Sequence, residues 1–185
     1  GSAALDHLHR LRAHVDAVIV GAGTVLADDP MLTVRRVPGR HPARVVIDPN
    51  GRVGGMARCF ADDGVKSIHV TSRGRRGPSH VDVLPVGCRD GWVDPAEIAR
   101  ELYDRGLRKT LVEGGATTIS RFIDADVVDR VHLLVAPIIL GSGTMGLSLS
   151  PIAGLDEALR PQTRLHQLDD GEALFDCDLR QQRRG

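Results

Sequence analysis

The stretch Thr110-Leu111-Val112-Glu113-Gly114-Gly115-Ala116-Thr117-Thr118-Ile119 constrains the fold more than any other part of the chain. An apolar run ends in a carboxylate. Two glycines follow, and two threonines then open an apolar-periodic segment through Phe122 and Ile123. The pattern is that of a buried strand, a tight turn and a helix N-terminus. The first turn of a helix leaves backbone N–H groups without partners, and the helix dipole favours negative charge there. Glycines let a phosphate approach the backbone, and Thr117 and Thr118 add hydroxyl donors. An ordinary strand-to-helix connection, with glycine supplying a positive φ, accounts for the same residues. Glu113 tips the reading toward a ligand, because a carboxylate at the C-terminal end of an inner strand lies where open α/β sheets keep their crevice.

A second junction of this kind stands near the start. Leu5, Leu8, Leu11 and Val15 recur at helical spacing, which predicts an amphipathic helix over 4–14 with Arg12 near its end. A basic residue there also suits the helix dipole without any ligand. The strand at 16–20 then runs into Gly21-Ala22-Gly23-Thr24-Val25-Leu26-Ala27-Asp28-Asp29-Pro30. Leu26 stands where a dinucleotide fingerprint needs its third glycine. Thr24 suits a helix cap or a ligand contact. Asp28 and Asp29, before a proline, suit a solvated turn. Residues 31–36 read as a short extended segment.

Inner strands need cover on both faces, and a chain of 185 residues, 42% of them hydrophobic, has enough for one domain. Further strands are expected at 43–48, 67–71 and 81–86, and a helix starts at Asp94-Pro95, with Ile98, Leu102 and Tyr103 as its buried face and Gly106 at its end. Ser72 and Arg73, with Arg75 and Arg76, follow the strand at 67–71 and suit a phosphate monoester; a flexible basic loop is the alternative. Residues 127–137 form a long strand pattern. Gly141-Ser142-Gly143-Thr144-Met145-Gly146 matches G-x-G-x-x-G, but Pro151 leaves no room for the helix that motif needs. Residues 165–168 and 173–179 flank Asp169-Asp170-Gly171 as a terminal hairpin. The alternation predicts an α/β fold with a mixed sheet, parallel inside and antiparallel at its edge, in one domain. A formal net charge of zero argues against nucleic-acid and membrane-surface roles. Three isolated cysteines and eight histidines show no metal-ligand spacing, and no apolar run approaches a membrane span. The cytoplasm is the expected location.

Three stretches together carry a resemblance: Leu11-Arg12-Ala13 with Asp16 through Pro30 and Leu32-Thr33-Val34-Arg35; Val112-Glu113-Gly114-Gly115; and Val128-Asp129-Arg130-Val131-His132 with Ala136-Pro137 and Leu140-Gly141. They are similar to the reductase domain of bacterial riboflavin biosynthesis, the C-terminal part of the bifunctional pyrimidine deaminase/reductase. The resemblance implies a dihydrofolate-reductase-like three-layer fold, a homodimer, and NADPH-dependent reduction of 5-amino-6-(5-phosphoribosylamino)uracil to its ribityl form. It implies that Arg12, Leu32 and Arg35 contact substrate, with the arginines on the 5′-phosphate or nearby polar groups. Glu113 would hold the ribose or help move a proton. Thr24 and Asp28 would face NADPH. Gly115, Ala116, Thr117, Thr118, Ile119, Ser120 and Arg121 would cradle its pyrophosphate. Ser72 and Arg73 would lie on the 2′-phosphate side. The family normally opens with a lysine-bearing strand; this sequence starts at the following helix, and neither Lys66 nor Lys109 replaces that lysine. Residues 1–185 are therefore expected to be one reductase domain without that strand, and without the deaminase's zinc motif. The alternatives are reduction of another small heterocycle, or a nucleotide-binding relic without turnover.

Overall fold

The computed structural model describes residues 1–180. In chain order its elements are α1 (Ser2–His14), β1 (Ala17–Gly21), α2 (Ala22–Asp28), β2 (Ala43–Ile47), a 3₁₀ turn (Arg58–Phe60), β3 (Ser67–Ser72), β4 (Asp82–Val86), β5 (Cys88–Arg89), β6 (Trp92–Val93), α3 (Pro95–Asp104), β7 (Thr110–Val112), α4 (Ala116–Asp124), β8 (Arg130–Val135), β9 (Gln162–Gln167) and β10 (Ala173–Asp178).

Five strands form one sheet in the order β4-β3-β2-β1-β7, and every pairing in it is parallel. Strands covered on both faces read as continuous apolar runs, and β1 is buried along its length. Its side chains alternate between two cores. Ala17 and Ile19 join Val45, Ile68, Val70 and Leu84 against Ile98 and Leu102 of α3 and Phe122 of α4. Val18 and Val20 join Val46 against Ala22 and Val25 of α2, Leu32 and Phe60. Helices thus lie on both sides of the sheet, giving three layers.

α3 starts as its sequence dictates: the Asp94 carboxylate accepts a hydrogen bond from the Ala96 amide at 2.8 Å, and Pro95 occupies the first turn. Ile98 and Leu102 are buried, but Tyr103, expected beside them, is 56% exposed. It lies one residue, about 100° of rotation, off the i, i+4 stripe, and its ring sits under the Arg108 guanidinium. The first helix begins at Ser2, and its deeply buried residues are His9 and Arg12, while Leu5 of the expected apolar stripe is exposed. Residues 31–36 form no strand, because Leu32 takes φ 55 and breaks the extended run.

The terminal hairpin forms as β9 and β10, but it is not an edge of the parallel sheet. It pairs with β8 in a separate antiparallel sheet of order β8-β10-β9. Among the described residues β7 pairs only with β1 and β8 only with β10, so no ladder bridges the two sheets. The glycine-rich stretch 141–146 is exposed coil with no following helix, as the position of Pro151 requires. No helix among the described residues is long and apolar enough to cross a membrane.

Candidate active site

Parallel pairing of β1 with β7 sets their C-terminal ends side by side, so the two glycine turns meet. A Cβ at Gly114, which holds φ +110, would lie 2.5 Å from the Thr24 hydroxyl oxygen. A Cβ at Gly21 would lie 2.4 Å from that of Thr118. Both turns therefore need glycine for close approach, and Gly114 needs it for its backbone angle as well. The Gly115 amide donates to the Thr24 hydroxyl at 3.1 Å. α4 begins with no side-chain cap, so its first-turn amides at Ala116 and Thr117 have no acceptor within the helix. Gly114, Gly115 and Thr117 are exposed at this end, whereas Ser120 is buried and accepts a hydrogen bond from the Ser148 amide.

Glu113 continues β7 by one bond, its amide donating to the Ile19 carbonyl at 2.8 Å. Its carboxylate is gripped from the far side by Arg12 of α1, Nε to Oε1 at 2.8 Å and Nη2 to Oε2 at 2.6 Å. The two side chains are only 9% and 12% exposed. A bidentate fork of this kind fixes the carboxylate's orientation, and breaking it strands a charge at a cost of roughly 3–5 kcal/mol. Arg12 Nη1 also donates to the Thr33 carbonyl at 3.1 Å. His9, one turn earlier on the same face, accepts from the Arg35 amide at 3.0 Å. Burial, reinforced by the nearby Arg12, Arg35 and Arg36, pulls the His9 imidazole below its usual value, so it suits the neutral acceptor role.

The expected site residues thus fall into two groups. Arg12, Glu113, Thr24 and residues 115–118 converge. Arg12 spends its charge on Glu113, whereas Arg35, tied to His9 through its amide, is exposed, has no carboxylate in salt-bridge range among the described residues, and brings its Nη1 to 4.0 Å from the Met31 sulfur. Leu32 packs into the core at its strained positive φ. Asp28 is exposed at the far end of α2 from Gly21. Ser72 and Arg73 stand after β3, three strand spacings or about 14 Å from β7. The Ser72 hydroxyl donates to the Pro49 carbonyl at 2.7 Å, and Arg73 reaches Glu97 of α3 at 3.5 Å. His9 was not singled out by the sequence; its i, i+3 spacing from Arg12 is the signal that places both on one face.

The family model for the RibD C-terminal domain matches residues 1–168. The chain belongs to that family. An archaeal relative from Methanothermobacter thermautotrophicus, named 2,5-diamino-6-ribosylamino-4(3H)-pyrimidinone 5′-phosphate reductase, is 34% identical over 165 residues, covering 85% of this chain and 75% of the relative. The riboflavin biosynthesis protein RibD of Mycobacterium tuberculosis is also 34% identical, over 87% of this chain but only 41% of its own length. Among solved structures, the deaminase/5-amino-6-(5-phosphoribosylamino)uracil reductase of Thermotoga maritima superposes with TM-score 0.75 at 32% identity, covering 94% of this chain and 48% of that one. The riboflavin biosynthesis reductase Rib7 of Saccharomyces cerevisiae gives 0.76 at 25%, covering 95% and 80%. The RibD reductase fold, dihydrofolate-reductase-like, is therefore that of this chain, which spans about half or less of the bifunctional proteins.

Proposed function

We propose that this RibD-family domain reduces a phosphoribosylaminopyrimidine, 5-amino-6-(5-phosphoribosylamino)uracil, to its ribityl form with NADPH. The observation that carries the reading is the buried Arg12–Glu113 fork placed directly before an uncapped helix N-terminus. Two anionic ligands need cations and N–H donors at one crevice, and Arg35 and the first turn of α4 supply them. The geometry fits a dinucleotide: the Ala116 and Thr117 amides of the uncapped first turn of α4 have no acceptor within the helix and are available where a pyrophosphate would approach. When bound, the nicotinamide supplies the hydride for the sugar carbon. The protein's part is to position and to hold charge. Arg12 fixes the Glu113 carboxylate, and each of its oxygens keeps a lone pair for a ribose hydroxyl.

Arg73 stands on the 2′-phosphate side. Arg73→Ala is expected to weaken NADPH several-fold and leave NADH unchanged, read by calorimetry; equal weakening removes it from that role. Lys66 and Lys109 precede β3 and β7, at the opposite end of the sheet from Glu113. The open edges of β7 and β8 support a reading in which a lysine-bearing strand lies between the two sheets. The exposed Leu133, Ile138, Ile139 and Leu140 support a homodimer, and the charged, diffusible ligands support a cytoplasmic site.

The archaeal relative's name favours a second substrate, the diaminopyrimidinone with an amino group where the uracil has oxygen. NADPH oxidation with each ribotide separates the two. Turnover with either supports the reductase reading, and binding without turnover of both overturns it. Glu113→Gln is expected to lower turnover at least a hundredfold while changing NADPH affinity less than threefold. Wild-type activity in that variant removes Glu113 from the reaction.

A further inference from the structure

α1 meets the segment 33–36 with a polar stripe. Ser2, Asp6, His9 and Arg12 are spaced i, i+4, i+7 and i+10, so they share one side of the helix, and each of them holds the segment. Arg12 Nη1 donates to the Thr33 carbonyl at 3.1 Å, and His9 Nδ1 accepts from the Arg35 amide at 3.0 Å. Arg36 closes the far end, donating to the Asp6 carboxylate at 2.5 Å and to the Ser2 hydroxyl at 2.6 Å. From the other side, His41 Nδ1 accepts from the Val34 amide at 3.1 Å. The segment belongs to no strand, so side chains supply the hydrogen bonds that a ladder supplies elsewhere. Leu32 pins its start, buried at φ 55. The one long side chain that the stripe leaves exposed is that of Arg35.

We infer that His9 is a positioning residue for the phosphosugar: the lone pair on its Nδ1 holds the backbone from which Arg35 reaches the substrate's 5′-phosphate. This rests on the proposed reading, in which Arg35 meets that phosphate. A backbone amide only donates, so Nδ1 has to stay bare and the ring proton sits on Nε2. A second proton, on Nδ1, would set N–H against N–H and release the Arg35 backbone. A shift of about 1 Å in a group that orients substrate can cost on the order of a hundredfold. The charged groups facing the ring are Arg12 on α1, Arg35 and Arg36 on the segment, and Glu113 after β7. Burial first, then the three arginines, disfavour the imidazolium; Glu113 alone favours it. His41 is exposed, so water can replace its bond to Val34. His9 is 3% exposed, which leaves the Arg35 amide no such substitute.

The test compares two probes, 5-amino-6-(5-phosphoribosylamino)uracil and the same compound without its phosphate, on wild type, His9→Leu and His9→Asn. Leucine fills the space without an acceptor. The asparagine Oδ1 stands about where Nδ1 stood, and it does not titrate. NADPH oxidation is followed at pH 7.5, and calorimetric binding at pH 7.5 and 5.0. His9→Leu is expected to raise KM for the ribotide about tenfold, with kcat within about threefold and the dephosphorylated compound bound as by wild type. His9→Asn is expected to bring KM back to within about threefold. Between pH 7.5 and 5.0 the wild type is expected to lose ribotide affinity by about threefold more than His9→Asn, which keeps only the phosphate's own ionisation near about 6. Equal weakening of both probes in His9→Leu, or an unchanged ribotide KM, overturns the inference. So does a wild-type pH dependence in His9→Asn, and that comparison decides if His9→Leu does not fold. None of these results touches the reductase reading. A wild-type chain that neither binds nor turns over the ribotide overturns both.

Discussion

β1 and β8 are both apolar runs, and they end in opposite conditions. Ala17 to Gly21 is buried without a break, while Leu133, Leu134 and Val135 of β8 are exposed. The difference is one of neighbours. β1 has a parallel strand on each side and a packed core on each face. β8 has one paired edge and belongs to a three-stranded sheet whose β9 is exposed throughout. Hydrophobicity predicts that a segment wants cover; only the layers decide whether it gets it within one chain. The parallel half therefore carries the stability of the domain, and the antiparallel half carries surface suited to association.

The largest expected effect tests the buried half. Ile19→Ala removes a fully buried side chain from the inner strand and is expected to cost about 2–5 kcal/mol in urea unfolding. A loss below about 1 kcal/mol would break the contrast.

An intermediate effect separates the halves by acidity. His7 of α1 and His132 of β8 stack, with Nε2 and Nδ1 2.8 Å apart. Burial, then His132 and Arg10, pulls His7 below 6.5; burial also pulls His132 down, against the opposing pull of Asp176. In that state the unfolded chain takes up protons first as pH falls below 6.5, so stability is complete above 6.5 and is lost as pH drops toward the lowered folded values. Asp48, at the end of β2, behaves differently. Burial raises its carboxyl, but hydrogen bonds from His69 and the Val53 and Arg52 amides prevail and hold it below 3.8. Its stabilisation is present above that value and is lost only as pH falls below it. Hydrogen exchange is expected to show α1 and β8 loosening between pH 7 and 5.5 while β2 and β3 keep their protection; simultaneous loosening removes the distinction.

The smallest effect tests the open half. Leu165 of β9 is exposed, and Leu165→Ser is expected to change monomer stability by no more than about 0.5 kcal/mol. Sedimentation of the variant beside the wild type then sharpens the picture: a lower association of the variant assigns this sheet to self-association, and equal behaviour of the two removes it.

The parallel sheet was legible because continuous apolar runs and helix signals agree there. Asp94-Pro95 and Gly106 bound α3 by local chemistry alone. The β5–β6 hairpin does not show in the apolar pattern, although Asp90-Gly91, with both φ positive, is a strong turn pair; its two-residue strands are too short for periodicity. Which strands share a sheet was not legible in the C-terminal third, since pairing partners are set by packing rather than by pattern. At the site, Glu113 and Arg12 were each legible. Their union was not, because a contact between residues 101 apart leaves no local trace.

That long-range union has a kinetic side. A ribosome adding roughly 5–20 residues per second releases Arg12 about 5–20 s before its carboxylate partner exists. Until then the first helix carries a cation with nowhere to bury it, and its docking waits for the strand that ends at residue 112. The cleft thus closes late in the synthesis of this half, and chains stalled or cut short before Glu113 would present an unlatched helix to proteases.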